Sequence, residues 1–176
     1  MRRIGPLLAA AALAVALGAG CDRPPDEAWL RFLGFDRSAA VDTVSPLTVI
    51  EGSLASGVEK ANAGFVNTSF TVGGDNTTAG TGIFVYSAHV EYGLAGSALP
   101  SYDYPVTLYL AAPKAGETTT GKIFDFPVVP AALKEWIAAN VPGSVISLTA
   151  RVTFHAQTDE GTRLETDGGI QIVLTR

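Results

Sequence analysis

The chain carries two histidines, and the residues around them are the natural place to look for chemistry. Ser87, His89 and Glu91 alternate along one stretch, so on a strand all three share a face. Imidazole and carboxylate suit zinc. His89, Glu91 and His155 would therefore form a metal-binding cluster if the strands that carry them are neighbours. Setting the middles of those strands opposite each other instead pairs His89 with Arg151 or Thr149. His155 then lies several residues away, and the three are solvated surface residues. A serine nucleophile needs a histidine base oriented by a carboxylate; Ser87, His89 and Glu91 are the one such set, and a flat sheet face gives them no pocket. No catalytic residue, metal ligand or cofactor is expected from these residues.

The other polar clusters read the same way. Asp159, Glu160, Glu165 and Asp167 gather around one turn. A calcium site needs six to eight oxygen ligands in a tight loop, and this spacing matches none. Asp75 and Asn76 could add oxygens from a glycine-rich loop. Asn67-Thr68-Ser69 and Asn76-Thr77-Thr78 match the glycosylation acceptor pattern. Gly73-Gly74 and Gly80-Thr81-Gly82 lack the lysine and the strand-to-helix context of a phosphate loop.

The most specific chemistry lies at the start of the sequence. Arg2 and Arg3 precede an apolar run from Ile4 to Ala19 that ends in small residues, the layout of a secretory signal peptide. The run is shorter than the roughly 20 residues that cross a bilayer. Leu17-Gly18-Ala19-Gly20-Cys21 then resembles the lipobox of bacterial lipoproteins. That resemblance implies a diacylglyceryl group on the Cys21 thiol, cleavage just before it, and acylation of the new amine. It also implies a signal peptide over 1–20 and a lipidated tether over 21–27. Cys21 is the one cysteine in the chain, so no internal disulfide can form. Acylation would remove the exposed thiol that export otherwise leaves. Asp22 resembles the inner-membrane retention signal of enteric bacteria, and the leaflet stays open.

Twelve Lys and Arg face seventeen Asp and Glu. Loss of Arg2 and Arg3 would leave a mature chain with a net charge near −7. Such a balance argues against nucleic acid as a partner and against electrostatic docking on anionic lipid. Nineteen glycines and ten prolines, with many threonines and valines, favour strands and turns.

Residues 28–176 are predicted to form a single domain. Trp29 to Phe35 reads as an opening strand, or alternatively as an interfacial patch in which Trp29, Phe32 and Phe35 rest on the bilayer. Leu47 to Leu54 and Gly64 to Val72 follow, the latter with Val66, Thr68, Phe70 and Val72 as its core face. Gly73 to Gly82 is predicted to be an exposed loop. Ile83 to Leu94 should bury Phe84, Tyr86, Ala88, Val90, Tyr92 and Leu94. Pro105 to Ala111 alternates Val106, Leu108 and Leu110 against Thr107 and Tyr109. Lys122 to Val129 alternates Phe124, Phe126 and Val128 against Ile123 and Asp125, and Pro127 marks an edge or a bulge. Pro130 to Asn140 is the one helix expected, with Leu133, Trp136 and Ile137 in its apolar stripe. Val145 to Gln157 is the longest alternating run. A tight turn at Thr158-Asp159-Glu160-Gly161 joins it to a return arm ending at Leu174, with a bulge expected at Asp167-Gly168-Gly169.

Seven to eight short antiparallel strands and one crossover helix at about 130–140 predict an all-β sandwich. Its order is similar to immunoglobulin-like and fibronectin-type-III-like domains, which implies that Ile83–Leu94, Val145–Gln157 and the last strand share a sheet. A non-enzymatic envelope lipoprotein follows, held to the membrane by its N-terminal lipid and binding an envelope protein. The alternative is a glycan or small-solute binder using Tyr102, Tyr104 and Tyr109.

Overall fold

The computed structural model describes residues 29–41, 43–69, 71–72, 76–77 and 80–176. The expected signal peptide over 1–20, Cys21, the expected tether over 21–27, Phe70 and Asp75 lie outside the described residues. In chain order the elements are β1 (Trp29–Asp36), β2 (Val49–Ser53), β3 (Glu59–Thr68), β4 (Thr71–Val72), β5 (Asn76–Thr77), β6 (Ile83–Leu94), β7 (Ser97–Ala98), β8 (Tyr102–Leu110), β9 (Thr118–Val129), α1 (Ala131–Asn140), β10 (Val145–Thr158) and β11 (Arg163–Thr175). No helix among the described residues is long and apolar enough to cross a membrane.

Two sheets face each other across one core. The smaller runs β1-β3-β9; the larger runs β2-β11-β10-β6, with β7 and β8 both pairing to β6. This is an all-β sandwich with one helix, and the trio β6, β10 and β11 lies side by side as expected. One pairing departs from the expected antiparallel pattern, because β2 runs parallel to β11. The two are far apart in sequence, so no hairpin dictates their relative direction.

The β10–β11 hairpin shows how directly alternation becomes structure. Ile146, Leu148, Ala150, Val152, Phe154 and Ala156 are all buried, and the ladder runs from Val145↔Thr175 to Gln157↔Arg163 without a slip. Gly161 closes the turn at φ 91°, a conformation that favours glycine. The bulge expected at Asp167-Gly168-Gly169 is absent. Gly168 is needed for another reason: a Cβ there would overlap the Phe32 ring of the opposite sheet.

Phenyl rings lock the layers together. Phe154 of the larger sheet meets three rings of the smaller one, Phe65 at 4.8 Å, Phe32 at 5.3 Å and Phe126 at 5.5 Å between centroids. Phe35 is also buried, so Phe32 and Phe35 form core and not a bilayer patch. Tyr92 adds a polar tie, its hydroxyl donating to the Val128 carbonyl at 2.6 Å.

Several expected faces are reversed, each for a local reason. In β3, Ala61, Ala63, Phe65 and Asn67 point into the core, because Phe65 has the ring partners that the opposite face lacks. Val66 is covered instead on the outer side, where the 37–48 connection packs Val44 over Gly64. In β6 the pairing with both neighbours skips Tyr86, joining Val85↔Ala156 to Ser87↔His155. This bulge inverts the alternation N-terminal to it, so Ile83 and Val85 are buried while Phe84 and Tyr86 are exposed. In β9, Asp125 takes φ 54°, and the resulting irregularity turns Phe124 outward, 48% exposed. Pro127 does sit on an edge strand, as expected. Gly82, placed in the exposed loop by sequence, is buried where β6 begins.

α1 spans 131–140 within the predicted Pro130–Asn140, with Pro130 as its N-cap, and buries Leu133 and Ile137, with Trp136 half-buried. Lys134 is buried beside them. Its ammonium donates to the carbonyls of Ser53 and Ser56, to the Ser56 hydroxyl and to Glu59 Oε1 at 2.7 Å, which clamps the helix to the β2–β3 turn.

Candidate functional site

The outward face of the larger sheet collects most of the residues whose chemistry the sequence brings forward. Across it, β8, β6, β10 and β11 align in rungs. His89 stands opposite Asp103 on one side and Thr153 on the other; His155 lies between Ser87 and Glu165; Arg151 lies between Glu91 and Gly169.

These rungs separate the two histidines. His89 Nδ1 is 2.7 Å from Asp103 Oδ1, while its Nε2 is 3.9 Å from Glu91 Oε1. His155 Nδ1 is 3.1 Å from Glu165 Oε1. β6 and β10 are indeed neighbours, yet each imidazole is oriented by a carboxylate from its own flanking strand. Among the described residues no group of three or more His, Cys, Asp or Glu is placed to hold a metal ion. Ser87 pairs with His155 across the ladder, not with His89.

The acidic residues of the terminal hairpin are likewise divided among partners. Asp167 accepts from Arg151 Nε at 3.0 Å. Asp159 accepts from the Tyr109 hydroxyl at 3.1 Å, and Glu160 from the Thr81 hydroxyl at 2.5 Å. The Asp159 bond pushes the Tyr109 phenol up from its ordinary value, and the Thr81 bond holds the Glu160 carboxyl below its own. Two shallow grooves flank the Thr149–Arg151 stretch where side chains are missing, one beside Gly93 and one beside Gly168–Gly169. Both are open to solvent.

Asn67 is fully buried. Its amide donates to the carbonyls of Thr81 at 2.8 Å and Ala111 at 3.3 Å, so the Asn67-Thr68-Ser69 triplet offers no accessible glycosylation acceptor.

The three tyrosines proposed as a platform are divided between faces. Tyr102 and Tyr104 pack against the core with their rings 6.5 Å apart, and Tyr104 meets Phe126 at 5.6 Å. Burial raises both phenols, Tyr104 to about 12. Tyr109 points outward, 56% exposed. Its neighbours there are aromatics that alternation alone placed in the core: Phe84, directly opposite Tyr109 in the β6–β8 ladder and 41% exposed, and Tyr86, 38% exposed. The signal that could have found them is the spacing on β10. Phe154 and Ala156 face the core without interruption, and only an inserted residue in β6 lets Val85 join them.

No family model matches the chain, and no curated protein matches it. Among solved structures it is similar to the sporulation control protein Spo0M of Bacillus subtilis, at 9% identity and a TM-score of 0.35. The alignment covers 85% of this chain and 49% of that one, so the chain spans about half the length of that protein.

Proposed function

We propose that the chain is a membrane-anchored envelope lipoprotein whose sandwich acts as a non-enzymatic structural or protein-interaction module. The observation that supports this most is the Leu17–Cys21 motif, set a few residues ahead of a folded unit whose first strand starts at Trp29. A lone cysteine after a short apolar run, followed by a brief Pro-rich linker and a compact domain, fits a lipid-held module.

The partner-binding role draws support from two edges. β8 and β9 each end their sheet, and among the described residues neither has a second strand neighbour. Pro105 and Pro127 interrupt them and discourage indiscriminate strand addition, while Phe124 stands out from β9 as an apolar contact point. The charged outer face, with its histidines and acids taken up pairwise, offers positions for polar contacts around such a partner.

Mass spectrometry of the protein from its native membrane tests the anchor. A diacylglyceryl modification on an N-terminal Cys21 is expected, together with release into the soluble fraction for Cys21→Ser. An unmodified thiol in a freely secreted protein would refute it. Crosslinking in intact cells from a photoreactive residue at position 124 tests the partner role, and the expected product is an adduct with an envelope protein.

A further inference from the structure

We infer that the exposed aromatic patch of Phe84, Tyr86 and Tyr109 is a membrane-contact surface that seats the domain on the bilayer to which its lipid tether is attached. The inference rests on the anchoring proposed above and adds the orientation of the domain.

The argument begins with the end of the sandwich at which the chain arrives. Trp29 pairs with Thr68, and Thr68 with Thr118. Asn67, one residue earlier, bonds to Thr81 and Ala111, which sit at the start of β6 and the end of β8. The Asp159 amide donates to the Gly82 carbonyl, bringing the β10–β11 turn to the same end. Trp29, the first residues of β6, the last of β8 and the 158–161 turn therefore share one pole of the domain.

Phe84 and Tyr109 lie next to that pole, and Tyr86 lies about 10 Å along β6 from Ile83 at about 3.3 Å per residue. Outward positions of β6, β10 and β11 farther from the pole include His89, Glu91, Thr153, Arg151 and Asp167, and Gln157 stands beside Phe84. On the outward face of the larger sheet the exposed aromatics thus lie at the end nearest the tether. From Cys21 to Trp29 a fully extended chain reaches about 29 Å at most, so the lipid headgroups lie within reach of this pole. A lipid anchor holds the patch at high effective concentration against the bilayer, where even a weak contact is populated.

The chemistry favours a zwitterionic surface. Tyrosine and phenylalanine suit the boundary between acyl chains and headgroups, with the phenol staying in the polar layer. Asp159 and Glu160 stand at the tip beside the patch and would be repelled by anionic lipid but complement the ammonium of an ethanolamine or choline headgroup.

Tyrosine nitration provides the test. A chain beginning at Cys21 keeps every described element, and its single thiol can be coupled to a maleimide lipid in phosphatidylethanolamine–phosphatidylcholine vesicles. Coupling should slow nitration of Tyr86 and Tyr109 at least several-fold relative to the same protein free in solution. Phe84→Ser, read at a temperature well below the melting point of the variant, should weaken that protection. Equal reactivity of both tyrosines in the free and coupled states overturns the inference, as does protection that appears only when envelope proteins are added. Chemical coupling separates the two ideas. An unmodified native Cys21 would remove the anchor and the reason for the contact, whereas unprotected tyrosines on coupled protein would remove only the contact.

Discussion

Lys122 Nζ lies 2.5 Å from Asp36 Oδ2, with both side chains sealed from solvent at 0% and 1% exposure. The pair joins the two edge strands of the smaller sheet across β3, and the ammonium also donates to the Ser38 carbonyl at 3.3 Å. Asp36 Oδ1 has no hydrogen-bond partner. The pair therefore fixes how β1 and β9 flank β3 while leaving one acceptor unsatisfied.

Removing one partner should cost far more than removing both. Lys122→Met leaves a buried carboxylate without its counter-charge, and losses of about 3–5 kcal/mol accompany such breakage. The double variant Lys122→Met/Asp36→Leu replaces the pair with apolar volume and should recover most of that loss. Urea denaturation of the two single variants and the double variant checks it; equal losses in single and double variants would refute the coupling.

The Lys134 clamp predicts a specific acid sensitivity. Burial works to raise the Glu59 carboxyl, but the hydrogen bonds from Lys134 and Ser56 and the charge of Lys134 outweigh it. The net result is a pKa below the ordinary 4.5. A depressed folded pKa stabilises the fold above the unfolded value, and that contribution is lost as pH falls through the folded one. The urea midpoint should therefore drop below pH 4.5 in a component that Glu59→Gln removes. At neutral pH Glu59→Gln should itself lower the midpoint, because the buried ammonium loses its carboxylate.

Asn67 predicts a loss that no surface asparagine would show. Its amide ties β3 to the ends of β6 and β8, and its Oδ1 is already unpartnered. Asn67→Ala strands the Thr81 and Ala111 carbonyls, a change of about 1–3 kcal/mol. Thermal melting beside an Asn140→Ala control on the exposed end of α1 should separate the two by several degrees.

Sequence alternation proved sufficient where an unbroken period of two has one clearly apolar face. β10 and β11 follow it residue by residue, and the helix follows its proline and its Leu133–Ile137 stripe. It failed in β3, where both faces mix apolar and polar residues, and at single inserted residues. The bulge at Tyr86 and the positive φ at Asp125 each invert a face, and neither carries a glycine or proline to announce it. The same period could not say which strand neighbours which, so Asp103 and Glu165 went unrecognised as the partners of His89 and His155. Lys122 and Lys134 were hidden for a different reason. A lysine within an apolar run reads as a solvated side chain until the acceptor that receives it, Asp36 or Glu59, is known in three dimensions.

Gly168, in the stretch where paired glycines suggest a bulge, offers a test of the contact between sheets. The Phe32 ring fills the space where a Cβ would stand, and the neighbouring backbone amide of Phe32 donates to Thr166 Oγ1 at 3.2 Å. Gly168→Ala must push the ring back into Phe65, Phe35 and Phe154, which surround it. Overpacking of this kind costs about 1–3 kcal/mol. Gly169→Ala meets only the Ala150 carbonyl at 3.6 Å, an ordinary contact, and should be nearly neutral. The pair Gly168→Ala/Phe32→Leu should melt higher than Gly168→Ala alone, because the smaller side chain gives the methyl room. Equal melting of the two single glycine variants would show that β1 does not press on β11 at this point.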